Sequence, residues 1–131
     1  MSIVKRMDHF TILTADLAAT RDFYEMLGLV PGPRPDFPVP GFWLYAEDKA
    51  LLHVIGVEPG QMPVPRRGVL DHMAFWGSDL SGTVERLKAR GVAYRLIRAP
   101  SPFRTWQLFF LDPNGAEVEI DFDPAEPAPP R

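Results

Sequence analysis

Apolar residues along the chain alternate with a period of two in several short stretches and recur every three to four residues in two longer ones. That pattern predicts short strands and two helices. Phe10 and Ile12 alternate with His9 and Thr11, marking a first strand. Leu17, Thr20, Phe23, Tyr24 and Leu27 then share one helical face, with Asp16 as N-cap and Gly28 as the left-handed stop. Residues 41–45 and 50–55 read as a hairpin around Glu47-Asp48-Lys49. The same order then repeats. Met73 and Phe75 alternate with His72 and Ala74, and Leu80, Val84 and Leu87 follow a cap at Ser78 or Asp79 and precede a stop at Gly91. Residues 92–97 form a further strand, and 106–111 and 116–122 flank Asp112-Pro113-Asn114-Gly115, a strong turn signal. The counterpart of 92–97 is residues 30–39, where Pro31, Pro33, Pro35 and Pro38 predict an extended loop or an edge strand.

The recurrence has a fixed spacing. His9 and His72 are 63 positions apart (72 − 9), as are Asp16 and Asp79, and Gly28 and Gly91. Internal repeats of this kind define architecture. The expectation is an α+β fold of two βαβββ modules, about 7–57 and 70–123, within one domain spanning residues 1–131. Trp43 precedes Gln107 by 64 (107 − 43) and His53 precedes Glu119 by 66 (119 − 53). One residue is therefore expected to be added before the second hairpin and two within its turn. The Pro-rich residues 124–131 hold too little apolar surface to offset their ordering entropy, and are expected to form a flexible tail.

Strand alternation then sorts the polar residues. His9 and His72 leave the apolar face, and Glu117, Glu119 and Asp121 oppose Val118, Ile120 and Phe122. If helices cover one face of each sheet, the other face curls into a cup where repeat-equivalent positions meet. His9 would pair with His72, and His53 with Glu119. A single strand histidine more often hydrogen-bonds locally than binds metal. All three histidines of the chain fall at repeat-related positions, however, so His9, His53, His72 and Glu119 are read as candidate metal ligands. Three imidazoles and a carboxylate suit one divalent transition metal such as Zn, Fe, Mn, Co or Ni better than Mg or Ca. Glu117 and Asp121 are read as solvated or supporting charges; on the alternative in which the histidines bond locally, Asp8 and Asp71 merely hold their neighbours' backbones.

Composition narrows the chemistry further. With 14 basic and 17 acidic side chains the net charge is −3, which argues against nucleic acid or an anionic membrane as partner. There is no cysteine, so disulfides, thiolate zinc sites and a catalytic thiol are excluded. No apolar run approaches the roughly 18 residues of a membrane span, and the start MSIVKRMDH lacks a signal-peptide core, so a cytoplasmic location is expected. No GxSxG elbow, GxxxxGK[ST] loop or GxGxxG fingerprint occurs.

The segments DHFTILTADL, FYEMLGL, DHMAF and QLFFLDPNGAEVEI, with this ligand spacing, resemble the vicinal oxygen chelate superfamily. That superfamily includes glyoxalase I, bleomycin-resistance proteins, fosfomycin-resistance thiol transferases and extradiol dioxygenases. The resemblance covers about residues 7 to 123. It implies the glyoxalase/bleomycin resistance/dihydroxybiphenyl dioxygenase fold: paired βαβββ units forming a cupped mixed sheet around a metal that binds two neighbouring substrate oxygens. His9, His72 and Glu119 match ligand positions of the metal-dependent members, whereas His53 stands where glyoxalase I carries a carboxylate. The resemblance thus implies an enzyme of the lyase or isomerase type, which removes a proton from a small substrate with vicinal oxygens, with Glu119 first and His53 second as proton acceptor. Gln107, Arg104 and Trp43 are the expected substrate-binding residues. The alternatives are an Fe(II) extradiol-type dioxygenase and a non-catalytic protein that sequesters a drug or metabolite. A homodimer is also expected, with each site built within one chain or across two.

Overall fold

Both helices start and stop where side-chain chemistry requires. The carboxylate of Asp16 accepts from the Ala19 N–H at 3.0 Å, and that of Asp79 from Gly82 at 3.1 Å, each satisfying an otherwise orphaned donor of the first turn. Gly28 (φ 95) and Gly91 (φ 68) take the left-handed conformation that ends each helix. These caps bound α1 (Leu17–Met26) and α2 (Leu80–Ala89) in a computed structural model that describes residues 2–64 and 68–131.

By internal packing the chain divides into two units, residues 1–64 and 65–131. In the first, α1 follows β1 (Phe10–Thr14) and precedes β2 (Val30–Gly32), β3 (Gly41–Ala46) and β4 (Lys49–Gly56). In the second, α2 follows β5 (Met73–Trp76) and precedes β6 (Tyr94–Arg98), β7 (Trp106–Leu111) and β8 (Glu117–Phe122). Each unit has one four-stranded mixed sheet, ordered β1-β4-β3-β2 and β5-β8-β7-β6. The first strand pairs parallel with the last, and the remaining pairs are antiparallel. This is the expected α+β, twice-βαβββ architecture. The proline-broken segment supplies a three-residue edge strand, β2, and irregular chain beyond it.

One sheet face of each unit is its core. Ile12, Leu44, Leu52 and Val54 are buried in the first, together with Phe23 and Tyr24 of α1. Leu108, Phe110, Val118, Ile120 and Phe122 are buried in the second, together with Leu80, Val84 and Leu87 of α2. Alternation leaves the opposite face to polar residues, as the sequence pattern requires.

Register corrects two expectations. Trp43 faces His53 and Phe109 faces Glu119, so both hairpin strands are displaced by 66 positions (109 − 43, 119 − 53). Phe109, and not Gln107, is the counterpart of Trp43. Pro31 faces Leu44 and Tyr94 faces Phe110, which keeps β2 and β6 63 positions apart (94 − 31). The added residues therefore all enter between β6 and β7, with none in the turn at 112–115. A displacement of 64 and one of 66 put side chains on the same face, so alternation cannot tell them apart.

The chain after β8 also differs from the loose tail expected. The Glu126 carboxylate accepts from the N–H groups of Leu80 at 2.7 Å and Asp79 at 3.2 Å, and its carbonyl accepts from Trp106 Nε1 at 2.9 Å. This segment closes the start of α2.

Candidate functional site

In the first unit, His53 projects from β4 between its register partners Thr11 and Trp43, on the face opposite Leu52 and Val54. The rings of His53 and Trp43 stack at 3.9 Å and 9°. His9, just ahead of β1, stacks on the other face of His53 at 3.7 Å and 13°. Two imidazoles and an indole thus form one layered stack. His9 Nδ1 lies 2.8 Å from Asp8 Oδ2, and this hydrogen bond holds the Asp8 carboxyl below its usual range. With Nδ1–H committed to the carboxylate, a neutral His9 ring keeps its lone pair on Nε2. The His53 pKa is lowered, first by burial and then by the charge of His9, so His53 tends to remain neutral.

The second unit repeats the arrangement with different chemistry. His72 Nδ1 lies 2.7 Å from Asp71 Oδ2, while His72 Nε2 lies 2.8 Å from Glu119 Oε1. With a carboxylate at each ring nitrogen, the imidazolium is favoured. The His72 pKa is raised, chiefly by the Asp71 hydrogen bond, with the Glu119 charge adding to it against the effect of burial. Glu119 is buried, its side chain 8% exposed, and its Oε2 accepts from Gln107 Nε2 at 3.3 Å. Phe109 sets the His72 ring edge-on at 6.0 Å, and the Arg95 guanidinium lies 4.5 Å from the centre of Phe109.

Asp121 shares the Glu119 face of β8. Its carboxyl is pushed up to about 7 by burial first, and then by its hydrogen bond to Glu119 and that group's charge. Its Oδ1 is buried and finds no hydrogen-bond partner. A carboxyl shifted this far beside a second one is a recurrent feature of functional sites.

The structure brings the predicted residues into two groups: His9, His53 and Trp43 in the first unit, and His72, Glu119 and Gln107 in the second. Arg104 lies in the β6–β7 connection with φ 56, and its carbonyl accepts from Arg98 Nη1 at 3.2 Å. No hydrogen bond or ion pair among the described residues joins its side chain to Glu119 or Gln107. Sequence reasoning missed the ring-orienting role of Asp8 and Asp71, each of which bonds the adjacent imidazole. The adjacency of Asp and His in both repeats was the available signal.

The donors are of the right kind for a divalent transition metal. A histidine whose second nitrogen is held by a carboxylate is the usual form of a metal-binding imidazole. Among the described residues, no group of three or more His, Asp or Glu side chains is arranged to hold an ion. Nor, among them, is any helix long and apolar enough to cross a membrane.

A duplicated βαβββ sheet with an Asp-His pair opening each repeat defines the class. The chain belongs to the Glyoxalase/Bleomycin resistance protein/Dioxygenase superfamily, whose model matches residues 6–120. Its fold is similar to that of a glyoxylase/bleomycin resistance protein/dioxygenase domain from Frankia sp. EAN1pec, with a TM-score of 0.73, 20% identity, and coverage of 92% of this chain and 98% of that one. A glyoxalase family protein from Enterococcus faecalis is similar at a TM-score of 0.69 and 23% identity, covering 92% and 99%. A lactoylglutathione lyase from Agrobacterium tumefaciens follows at 0.63 and 18%, covering 92% and 96%. At these identities the likeness concerns the fold. Among curated proteins none matches significantly.

Proposed function

We propose that the chain is a divalent-metal-dependent enzyme of the glyoxalase-like class, acting on a small substrate with vicinal oxygens by proton abstraction of the lyase or isomerase type. The observation that carries this reading is the repeated Asp-His pair, which holds Nδ1 at 2.8 Å in His9 and 2.7 Å in His72. Each unit offers two ligands, and a catalytic metal takes at least three from protein. His9, His53, His72 and Glu119 are the candidate ligands of that ion, in a protein that acts as one chain or as a homodimer. When bound, the ion supplies positive charge where negative charge collects on the substrate oxygens.

The chain's own residues do the rest. Glu119 accepts the proton, its carboxylate steered by Gln107 on Oε2. His53, kept neutral by burial, has a lone pair for a second proton transfer. Trp43 and Gln107 line the substrate's place, and Arg104 orients a polar group from the β6–β7 connection. Metal content of the purified protein tests the reading. The wild type is expected to carry about one divalent ion per site, and His72→Ala to lose it; equal content in both defeats the assignment.

A further inference from the structure

The stack on His53 does not end at Trp43. Phe37 lies 6.3 Å from Trp43 at 44°, and the Arg34 guanidinium lies 5.2 Å from the centre of the Phe37 ring. Aromatic rings therefore follow one another from His9 and His53 through Trp43 to Phe37, the last tilted rather than stacked, with a cation beyond it. The loop that carries it is held in shape. Tyr45 Oη donates to the Pro33 carbonyl at 2.6 Å, Phe37 N–H to the Pro35 carbonyl at 2.8 Å, and Arg34 Nη2 to the Val39 carbonyl at 2.9 Å. Pro33, Pro35, Pro38 and Pro40 restrict the backbone further. That rigidity holds in place a phenylalanine 48% exposed to solvent.

Arg34 has hydrogen-bonding capacity to spare. A guanidinium carries five N–H groups, and the Val39 carbonyl takes one. No carboxylate pairs with Arg34 among the described residues, including Asp36 two positions on. Its guanidinium carbon lies over the Phe37 ring, and its remaining N–H groups suit a planar anion in fork geometry.

We propose that Arg34 and Phe37 form a substrate-anchoring subsite for an aryl carboxylate, whose ring packs on Phe37 and Trp43 while its carboxylate bonds Arg34. This rests on the metal-enzyme reading, and narrows the substrate to one that carries an aromatic carboxylate besides its vicinal oxygens. Arg34 acts in recognition and takes no part in the chemistry.

Calorimetric binding of benzoate, benzyl alcohol and cyclohexanecarboxylate to the full chain, as purified and after chelation, tests the subsite. Wild type is expected to prefer benzoate to both other probes. Arg34→Gln should weaken benzoate about tenfold or more while leaving benzyl alcohol unchanged, because it removes a charged hydrogen-bond pair. Phe37→Leu should narrow the preference for benzoate over cyclohexanecarboxylate, and this second variant leaves the Arg34 tie to the loop in place. A merely structural Arg34 would not change the discrimination between charged and neutral rings. Absence of benzoate binding, equal binding of benzoate and benzyl alcohol, or unchanged benzoate affinity in folded Arg34→Gln overturns the proposal. Metal content of the same samples separates the two readings. A wild type that binds benzoate in the expected manner but holds no metal sinks the metal reading and leaves the subsite standing; a metal-loaded protein indifferent to benzoate does the reverse.

Discussion

Glu126 makes the strongest stability prediction, because it joins three parts of the second unit. Its carboxylate satisfies the Leu80 and Asp79 N–H groups at 2.7 and 3.2 Å, at the positive end of the α2 dipole. Glu126→Gln keeps one of the two acceptors and removes the charge, so its cost is the helix-dipole share plus the weaker of the two hydrogen bonds, about 1 kcal/mol. Glu126→Ala also removes the remaining acceptor. The loss is that of a good cap plus the charge, about 1–2 kcal/mol. Both variants keep the Trp106 Nε1 bond, since the backbone carbonyl makes it. Truncation after Pro124 removes that bond as well and is expected to cost more than Glu126→Ala. Truncation after Glu126 removes only the distant Lys88–Pro130 contact at 3.5 Å and is expected to cost under about 0.5 kcal/mol. Urea unfolding followed by far-ultraviolet circular dichroism gives all four values. A Glu126→Ala variant as stable as wild type, or equal losses from the two truncations, would show that the segment rests on the unit without supporting it.

Two further outcomes follow from local geometry. Gly91→Ala should cost about 1 kcal/mol in the same unfolding assay, because φ is 68 and nothing lies within 4 Å of an added Cβ, which leaves backbone strain as the only source; a neutral result would contradict the left-handed stop. Asp71→Asn should weaken metal affinity about 10- to 100-fold in a competition titration, through loss of the carboxylate that fixes the His72 ring, and an unchanged affinity would remove the orienting role from Asp71.

How much was legible in the sequence depended on whether the signal was periodic or long-range. The strands, both helices and the equivalence of His53 with Glu119 follow from alternation, capping residues and a constant spacing, and register agrees: Thr11 faces His53 as Ala74 faces Glu119. The counterpart of Trp43 was misjudged because two displacements of equal parity look alike until hydrogen bonds select one. Glu126 reaches back 46 positions to Leu80, a contact no local composition encodes, so a Pro-rich segment with an anchoring carboxylate resembled a free tail. Alternation places Asp121 on the polar face as a solvated or a supporting charge, without saying that Glu119 crowds it there.

The two halves of the repeat differ in the chemistry of one candidate ligand, and that inequality can be tested. Where the second unit has Glu119, the first has His53, sandwiched between His9 at 3.7 Å and Trp43 at 3.9 Å. Such a residue has two possible uses, as a spacer that keeps the stack in order or as a nitrogen ligand, and most substitutions would disturb both. His53→Phe separates them. A phenyl ring preserves a flat partner for His9 and Trp43 but carries no lone pair, so stability should change by less than about 1 kcal/mol for a half-buried ring of similar shape. If His53 binds the ion, affinity should fall more than about 100-fold, beyond what loss of a supporting carboxylate produces. A folded His53→Phe protein with near wild-type metal affinity would instead leave two histidines and one carboxylate, His9, His72 and Glu119, as the ligand set. That is the arrangement of non-haem Fe(II) oxygenases, and oxygen uptake would then become the assay to run.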